Sequence, residues 1–302
     1  MNDAGIALDA YRTCEFATLA KDGTPIAWPT SGLFRTDGKI LLTTAIAYPH
    51  KAFNVRRDPR VALLFSDPTG SELDSPRQVL VTGSATCADT VHTEPVGDLA
   101  DFWRMIFTRQ PKSGAYLDWP ANRFTDFYFM RLRIEVTPDT TLDRALPTSR
   151  TAITDTSLVG APVLASYPSA VLAGRDKTGA PVLVRTTLAD GPGGYLVSVP
   201  DDLPLGEGPA SLLVHRHDDQ LWNLHNASVR GRLTSHDEAG WVFAPDRLTE
   251  PGSRFRAGPL DAIRTARRLR AATQRYLDRR SMTRPTIPWD AYRALRAETR
   301  TR

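Results

Sequence analysis

Two threonines, a histidine and a lysine between positions 43 and 51 carry the clearest chemistry in this chain. Thr43-Thr44 close a predicted strand, where hydroxyls and unpaired backbone amides can point at an anion. His50 and Lys51 follow at the start of a predicted short helix, His50–Arg56. A helix N-terminus adds unsatisfied N–H groups and a positive field. Lys51 supplies a compact positive charge of the kind that pairs with phosphate. The chemistry implied is the grip of a phosphate group. The bland alternatives are β-propensity for the threonine pair and a solvated loop for His50-Lys51.

A second set lies further on: His215, His217 and His225, near Trp222-Asn223. Alternate residues of a strand share a face, so His215 and His217 could ligate a metal or a haem iron together. No third ligand stands at regular spacing, and Asp218-Asp219 read as a turn. A hairpin end with capping histidines is the simpler reading.

The elements that must hold these groups are written twice. Copy one runs Ala17–Ile26, Gly38–Thr44, Asp58–Phe65 and Arg77–Ala85; copy two runs Ala170–Val182, Gly194–Val199, Gly208–Val214 and Asn226–Leu233. Order and spacing are nearly kept, which implies two related β-domains. Short strands joined by turns such as Asp22-Gly23 and Asp37-Gly38 favour a small barrel over a doubly wound sheet. Pro25–Phe34 reads as one strand, Thr93–Gln110 as a helix, and Phe127–Val136 as the closing strand of the first unit. Pro138–Thr156 reads as the linker, giving domains 1–145 and 146–302. Copy two has Ser198-Val199 for the threonine pair and the acidic Pro200–Glu207 for His50-Lys51. Carboxylates there repel a phosphate, so one competent and one degraded site are expected.

Composition narrows the field. The 302 residues carry 38 Lys+Arg against 34 Asp+Glu. Much of the excess sits in Arg264–Arg284, where Ile263, Ala266, Leu269, Thr273, Tyr276 and Leu277 mark the apolar face of a basic helix. Nothing resembles a base-reading element, so nucleic acid is not an expected partner. No apolar run is long enough for a membrane span, and Met1–Ile6 lacks the order of a secretory signal. Cys14 and Cys87 stand far apart and read as reduced thiols of a cytoplasmic protein, with no metal site.

Four pieces in order then resemble one family. They are Thr43-Thr44 after an apolar pair, His50-Lys51-Ala52-x-Asn54, Arg57-Asp58-Pro59-Arg60-Val61, and Arg77-Gln78-Val79-x-Val81-x-Gly83-x-Ala85. Together they resemble the FMN-binding split β-barrel superfamily, which includes the pyridoxamine 5′-phosphate oxidases and the flavin/deazaflavin oxidoreductases. The likeness covers residues 15–137 well and the second half more loosely. It implies a mainly β fold with α elements: two tandem split barrels forming an intramolecular pseudo-dimer, plus a C-terminal helix. It also implies cofactor contacts from Thr43, Thr44, His50, Lys51, Asn54, Arg77 and Gln78, with Gln78 on the flavin ring. The implied activity is an FMN-dependent oxidoreductase acting on an unidentified small molecule. Coenzyme F-420, a deazaflavin, is the alternative cofactor; a haem or flavin carrier is the non-catalytic one. Family proteins dimerise, so a monomeric pseudo-dimer or a homodimer is expected. Ile26–Leu33 lacks the Arg and Lys with which the true oxidases grip phosphate, and no Arg-x-His-x-Arg substrate motif is present. Vitamin B6 oxidation is therefore not expected. Trp28, Trp103, Tyr116 and Trp119 are candidates to line the pocket.

Overall fold

The computed structural model describes residues 8–236, 240–249 and 259–300. In the first half β1 (Cys14–Leu19), β2 (Pro25–Thr30), β3 (Leu33–Phe34), β4 (Ile40–Ala45), β5 (Arg60–Phe65), β6 (Arg77–Thr86) and β7 (Arg131–Ala145) form one sheet. Its order is β2-β1-β5-β6-β7-β4-β3. The second half contributes β8 (Ala170–Arg175), β9 (Pro181–Thr186), β10 (Leu188–Gly191), β11 (Gly194–Val197), β12 (Gly206–Arg216), β13 (His225–His236) and β14 (Gly240–Thr249). Read from its other edge, that sheet runs β9-β8-β12-β13-β14-β11-β10. The two orders correspond strand for strand. The fold is two tandem antiparallel split barrels, as the duplicated sequence implies.

Registers fix the correspondence residue by residue. Gly83 faces Pro138 across the β6–β7 ladder, and the register slips between Thr82 and Gly83, leaving Asp139 unpaired. Gly231 faces Pro245 in the same place between β13 and β14, and Asp246 is skipped. A Cβ on either glycine would lie 2.2 Å from a backbone oxygen, that of Thr137 or Ala244, so only glycine lets these strands pass. Both bulges admit a proline into a paired strand.

Three expectations change. Pro25–Phe34 is two strands, β2 and β3, broken at Ser31-Gly32 and placed on opposite edges of the sheet. The closing strand of the first unit starts at Arg131 and runs to Ala145, through much of the expected linker. The C-terminal segment is two helices, not one, and they pack on the first half. A short opening helix, expected from the sequence over Ile6–Arg12, lies partly outside the described residues.

Helix α1 (His50–Arg57) links β4 to β5. Helix α2 (Asp98–Arg109) and the short α3 (Asp126–Phe129) precede β7, and a short α4 (Ala161–Leu164) opens the second half. Helix α5 (Pro259–Asp278) and α6 (Trp289–Arg300) end the chain. Trp103 of α2, Phe129 of α3 and Tyr292 of α6 pack together at centroid separations of 4.7–5.1 Å, Trp103 stacked on Phe129 and edge-on to Tyr292, closing a core that Tyr276 and Leu277 of α5 share.

The halves meet across a pseudo-twofold. Strand β2 packs on β12, and its counterpart β9 packs on β5; β2 also meets β8, as β9 meets β1. Small side chains, Ala17, Ala27 and Ala62, join the core of the second half and let the backbones approach.

Candidate cofactor cleft

Between the halves, on one side of this axis, lies a cleft of about 980 Å³. The first half lines it with Lys21 and Asp22 of the β1–β2 turn, Ile26 and Trp28 of β2, and His50, Phe53, Asn54 and Arg57 of α1. The second half adds Ser228 and Arg230 from β13, Arg247 and Thr249 from β14. Arg230 pairs with Asp22 at 3.4 Å. The Asp22 carboxylate is held below its usual range, chiefly by the Thr24 backbone N–H. Four other cationic or imidazole side chains, Lys21, His50, Arg57 and Arg247, leave the cleft with an excess of positive character.

Helix α1 forms as the spacing predicts. It starts at His50 after Pro49, with no side chain capping its first turn. Lys51 is half-buried, and its Nζ lies 5.9 Å over the Trp28 ring. It has no carboxylate partner among the described residues. Burial pushes its ammonium down to about 8; Cys14 opposes this and Arg131 adds to it. Thr44 Oγ1 donates to Tyr48 O at 2.8 Å, tightening the turn into the helix. Thr43 Oγ1 is buried with no hydrogen-bond partner among the described residues. Asn54 Nδ2 donates to Thr18 Oγ1, and Asn54 Oδ1 accepts from Arg57 Nη2.

The structure brings His50 and Asn54 to the cleft, with Lys51 behind Trp28. It does not bring Arg77 and Gln78 there. Arg77 is exposed and paired with Asp143. Gln78 Oε1 accepts from Arg185 N at 2.8 Å, and its Nε2 donates to Ala145 O. That amide joins the two halves. Of the aromatic candidates only Trp28 lines the cleft; Trp103 is core, Tyr116 packs on Tyr128, and Trp119 is exposed.

The pseudo-symmetric position is closed. Register equates Thr43-Thr44 with Ser198-Val199, as the repeat predicts. The chain from β11 to β12 forms no helix; it buries Leu203 and Leu205, and Asp202 pairs with Arg144. Aligned on the two bulges, Ser228, Arg230, Arg247 and Thr249 correspond to Leu80, Thr82, Thr140 and Leu142. Leu80 is buried in the second half's core and Leu142 packs against it. The cationic lining of the open cleft was missed from sequence. The repeated Gly…Pro-Asp pairs, Gly83 with Pro138-Asp139 and Gly231 with Pro245-Asp246, were the signal for it.

Among the described residues no group of three or more His, Cys, Asp or Glu side chains is placed to hold a metal ion, and the histidines of the second half have other partners. His215 Nε2 donates to Glu15 Oε1 at 2.7 Å and Arg185 Nη2 donates to the same oxygen at 2.8 Å. Asp67 lies 3.6 Å from both His215 and His217. His225 stacks on Tyr167 and bonds its hydroxyl. Burial alone would raise the Glu15 carboxyl, but Arg185 and then His215 outweigh it and hold it below its usual range. Asp67 is held low in the same sense: burial opposes, while His215 and Arg185 prevail.

Residues 7–109 match the family model described as pyridoxamine 5′-phosphate oxidase. No curated protein matches the chain. Solved structures similar to about half of it include the following three. A protein of unknown function from Agrobacterium tumefaciens is 19% identical, over 48% of this chain and 57% of its own, with a TM-score of 0.32. A conserved hypothetical protein from Mycobacterium tuberculosis is 22% identical, over 52% and 94%, with a TM-score of 0.32. One described as an F420 reductase is 19% identical, over 45% and 94%, with a TM-score of 0.30. The family match spans about a third of the chain and lies on the first sheet and on the β4–α1 segment.

Proposed function

We propose that the protein is a flavin-dependent oxidoreductase that binds one FMN per chain in the cleft between its halves and acts on a small molecule. The observation that carries this reading is the asymmetry of the two pseudo-equivalent positions. One is open, cationic and flanked by Trp28 and Phe53; the other is filled by Leu203 and Leu205 and faced by Leu80 and Leu142. A cleft of this size suits a cofactor-sized ligand.

The residues present fit the group. His50, Arg57, Arg230 and Arg247 would hold the phosphate, with Lys51 adding charge from behind Trp28. Trp28 and Phe53 would flank the ring, and Asn54 keeps Arg57 in place. When bound, FMN supplies the electron or hydride transfer; the protein supplies the anchor, the orientation and the shielding.

A second reading keeps the cleft and exchanges FMN for coenzyme F-420. The absence of Arg and Lys from β2, where Trp28-Pro29 stand, favours it. A haem carrier is less well supported, because His215 and His217 are engaged with carboxylates and only His50 lines the cleft.

The test is the chromophore that co-purifies with the full chain, released, identified and counted. One FMN per chain is the expected result. Tight F-420 binding with weak FMN binding would replace the first reading by the second. A protein that retains neither when each is supplied would sink both.

A further inference from the structure

We propose that a second basic pocket, beside the cleft, is a binding subsite for the diphosphate group of a second ligand, the substrate or the electron donor. The proposal does not depend on which cofactor occupies the cleft. The pocket encloses about 400 Å³. It is built where two hairpin turns, one from each half, come together across the pseudo-twofold. Lys21 and Gly23 come from the β1–β2 turn, Thr178 and Gly179 from the β8–β9 turn, and Arg57, Asp58, Arg60 and Arg175 complete the wall.

Four cationic side chains thus face one carboxylate. Asp58 is spent on Arg60, whose Nε and Nη2 clasp it at 2.9 and 2.6 Å. Arg60 Nη1 donates to Thr178 O at 3.0 Å, which fixes the guanidinium to the opposite half. Arg57 is oriented by Asn54. Arg175 is half-buried, and its guanidinium has no hydrogen-bond or carboxylate partner among the described residues. A Cβ at Gly23 would lie 3.1 Å from Arg175 Nη1, and Gly23 has a φ of +78°, so the turn leaves that guanidinium its space.

A half-buried, unpaired guanidinium is costly unless an anion joins it. Guanidinium forks match phosphoryl oxygens in pairs. The surplus charge favours a polyanion over a single carboxylate, and a diphosphate meets it with two linked groups. The pocket shares Ala20, Lys21 and Arg57 with the cleft, so a ligand held here by its diphosphate reaches toward whatever the cleft holds.

The test is calorimetric titration of the full-length protein with inorganic pyrophosphate, with and without saturating FMN. Saturable binding at one site per chain is expected, weakened but not abolished when FMN is present, because the two ligands share Arg57. Arg175→Gln should weaken it about tenfold or more, the loss expected for a charged hydrogen bond, and Arg175→Lys should weaken it less. Circular dichroism of the variants checks that each is folded. Pyrophosphate that fails to saturate, that binds Arg175→Gln as tightly as the parent, or whose binding saturating FMN abolishes would overturn the proposal. A protein that binds pyrophosphate but no flavin would sink the cofactor reading and leave this pocket standing.

Discussion

Glu15 of β1 and Arg185 of β9, one from each half, form a 2.8 Å ion pair in which the carboxylate is fully buried. His215 and Ser66 donate to the same carboxylate, at 2.7 and 2.9 Å. No pseudo-symmetric copy exists: register places Val171 opposite Glu15's role and Pro29 opposite Arg185's. The cluster therefore distinguishes the two halves, which the shared strand order does not.

Removing one member leaves the others buried and unpaired. Glu15→Gln should cost about 3–5 kcal/mol, the range for breaking a buried charge pair. The pH dependence follows from the direction of the shifts. Glu15 and Asp67 are both held below their unfolded values. Their stabilisation is thus present above the unfolded carboxylate range, near pH 4, and is lost as pH falls through the lower folded values. Urea midpoints from pH 7 down to pH 3 measure it. A variant whose midpoint matches the parent across that range would show that the cluster stabilises nothing.

The two bulge glycines make a sharper packing prediction. Gly83→Ala and Gly231→Ala each put a methyl 2.2 Å from a backbone oxygen, which the ladder relieves only by moving. Each should cost about 1–3 kcal/mol, as over-packing does elsewhere. Thermal unfolding of both variants checks this. Two unchanged melting temperatures would mean the bulges are soft rather than fixed.

Much of the fold was legible because its signals are local. Asp22-Gly23 and Asp37-Gly38 turns, the apolar run Val61–Phe65 and the repeat itself all lie within short stretches of sequence. Helix α1 was readable for the same reason. Pro25–Phe34 misled because its composition suits a strand throughout, and only Gly32, packed against Ile40 and Leu42, marks the break. The cationic lining from the second half was not legible from the first-half motif. Arg230 and Arg247 stand on strands whose motif match was loose, and their meeting with α1 depends on the pairing of the halves. Gln78 shows the reverse: a polar residue inside a family-like motif whose amide the interface has taken.

The asymmetry of the two clefts can be tested by giving the open one the residues of the closed one. Arg230→Thr with Arg247→Thr copies Thr82 and Thr140. Both positions are paired in register at the bulge and neither belongs to a core, so folding should be unaffected. FMN affinity should fall by about ten- to a hundredfold for each charge-assisted hydrogen bond lost. Fluorescence titration of the apoprotein reads this directly. Full affinity in the double variant would place the phosphate elsewhere.

Lys51 makes the cofactor reading pH-dependent in a defined sense. Its ammonium titrates at about 8, mainly because it is buried, and Arg131 opposes its charge further. Below that pH the charge is present and attracts the phosphate; above it the charge is lost unless the ligand restores it. FMN affinity should therefore weaken by up to about tenfold per pH unit above pH 8. It should also weaken below about pH 6, where a phosphate monoester takes up its second proton. Riboflavin, which has no phosphate, should lack both limbs. Lys51→Met should bind FMN more weakly and lose the alkaline limb, while Lys51→Arg, charged throughout, should keep affinity to higher pH. An alkaline limb that survives Lys51→Met would assign it to another group and remove Lys51 from the phosphate site.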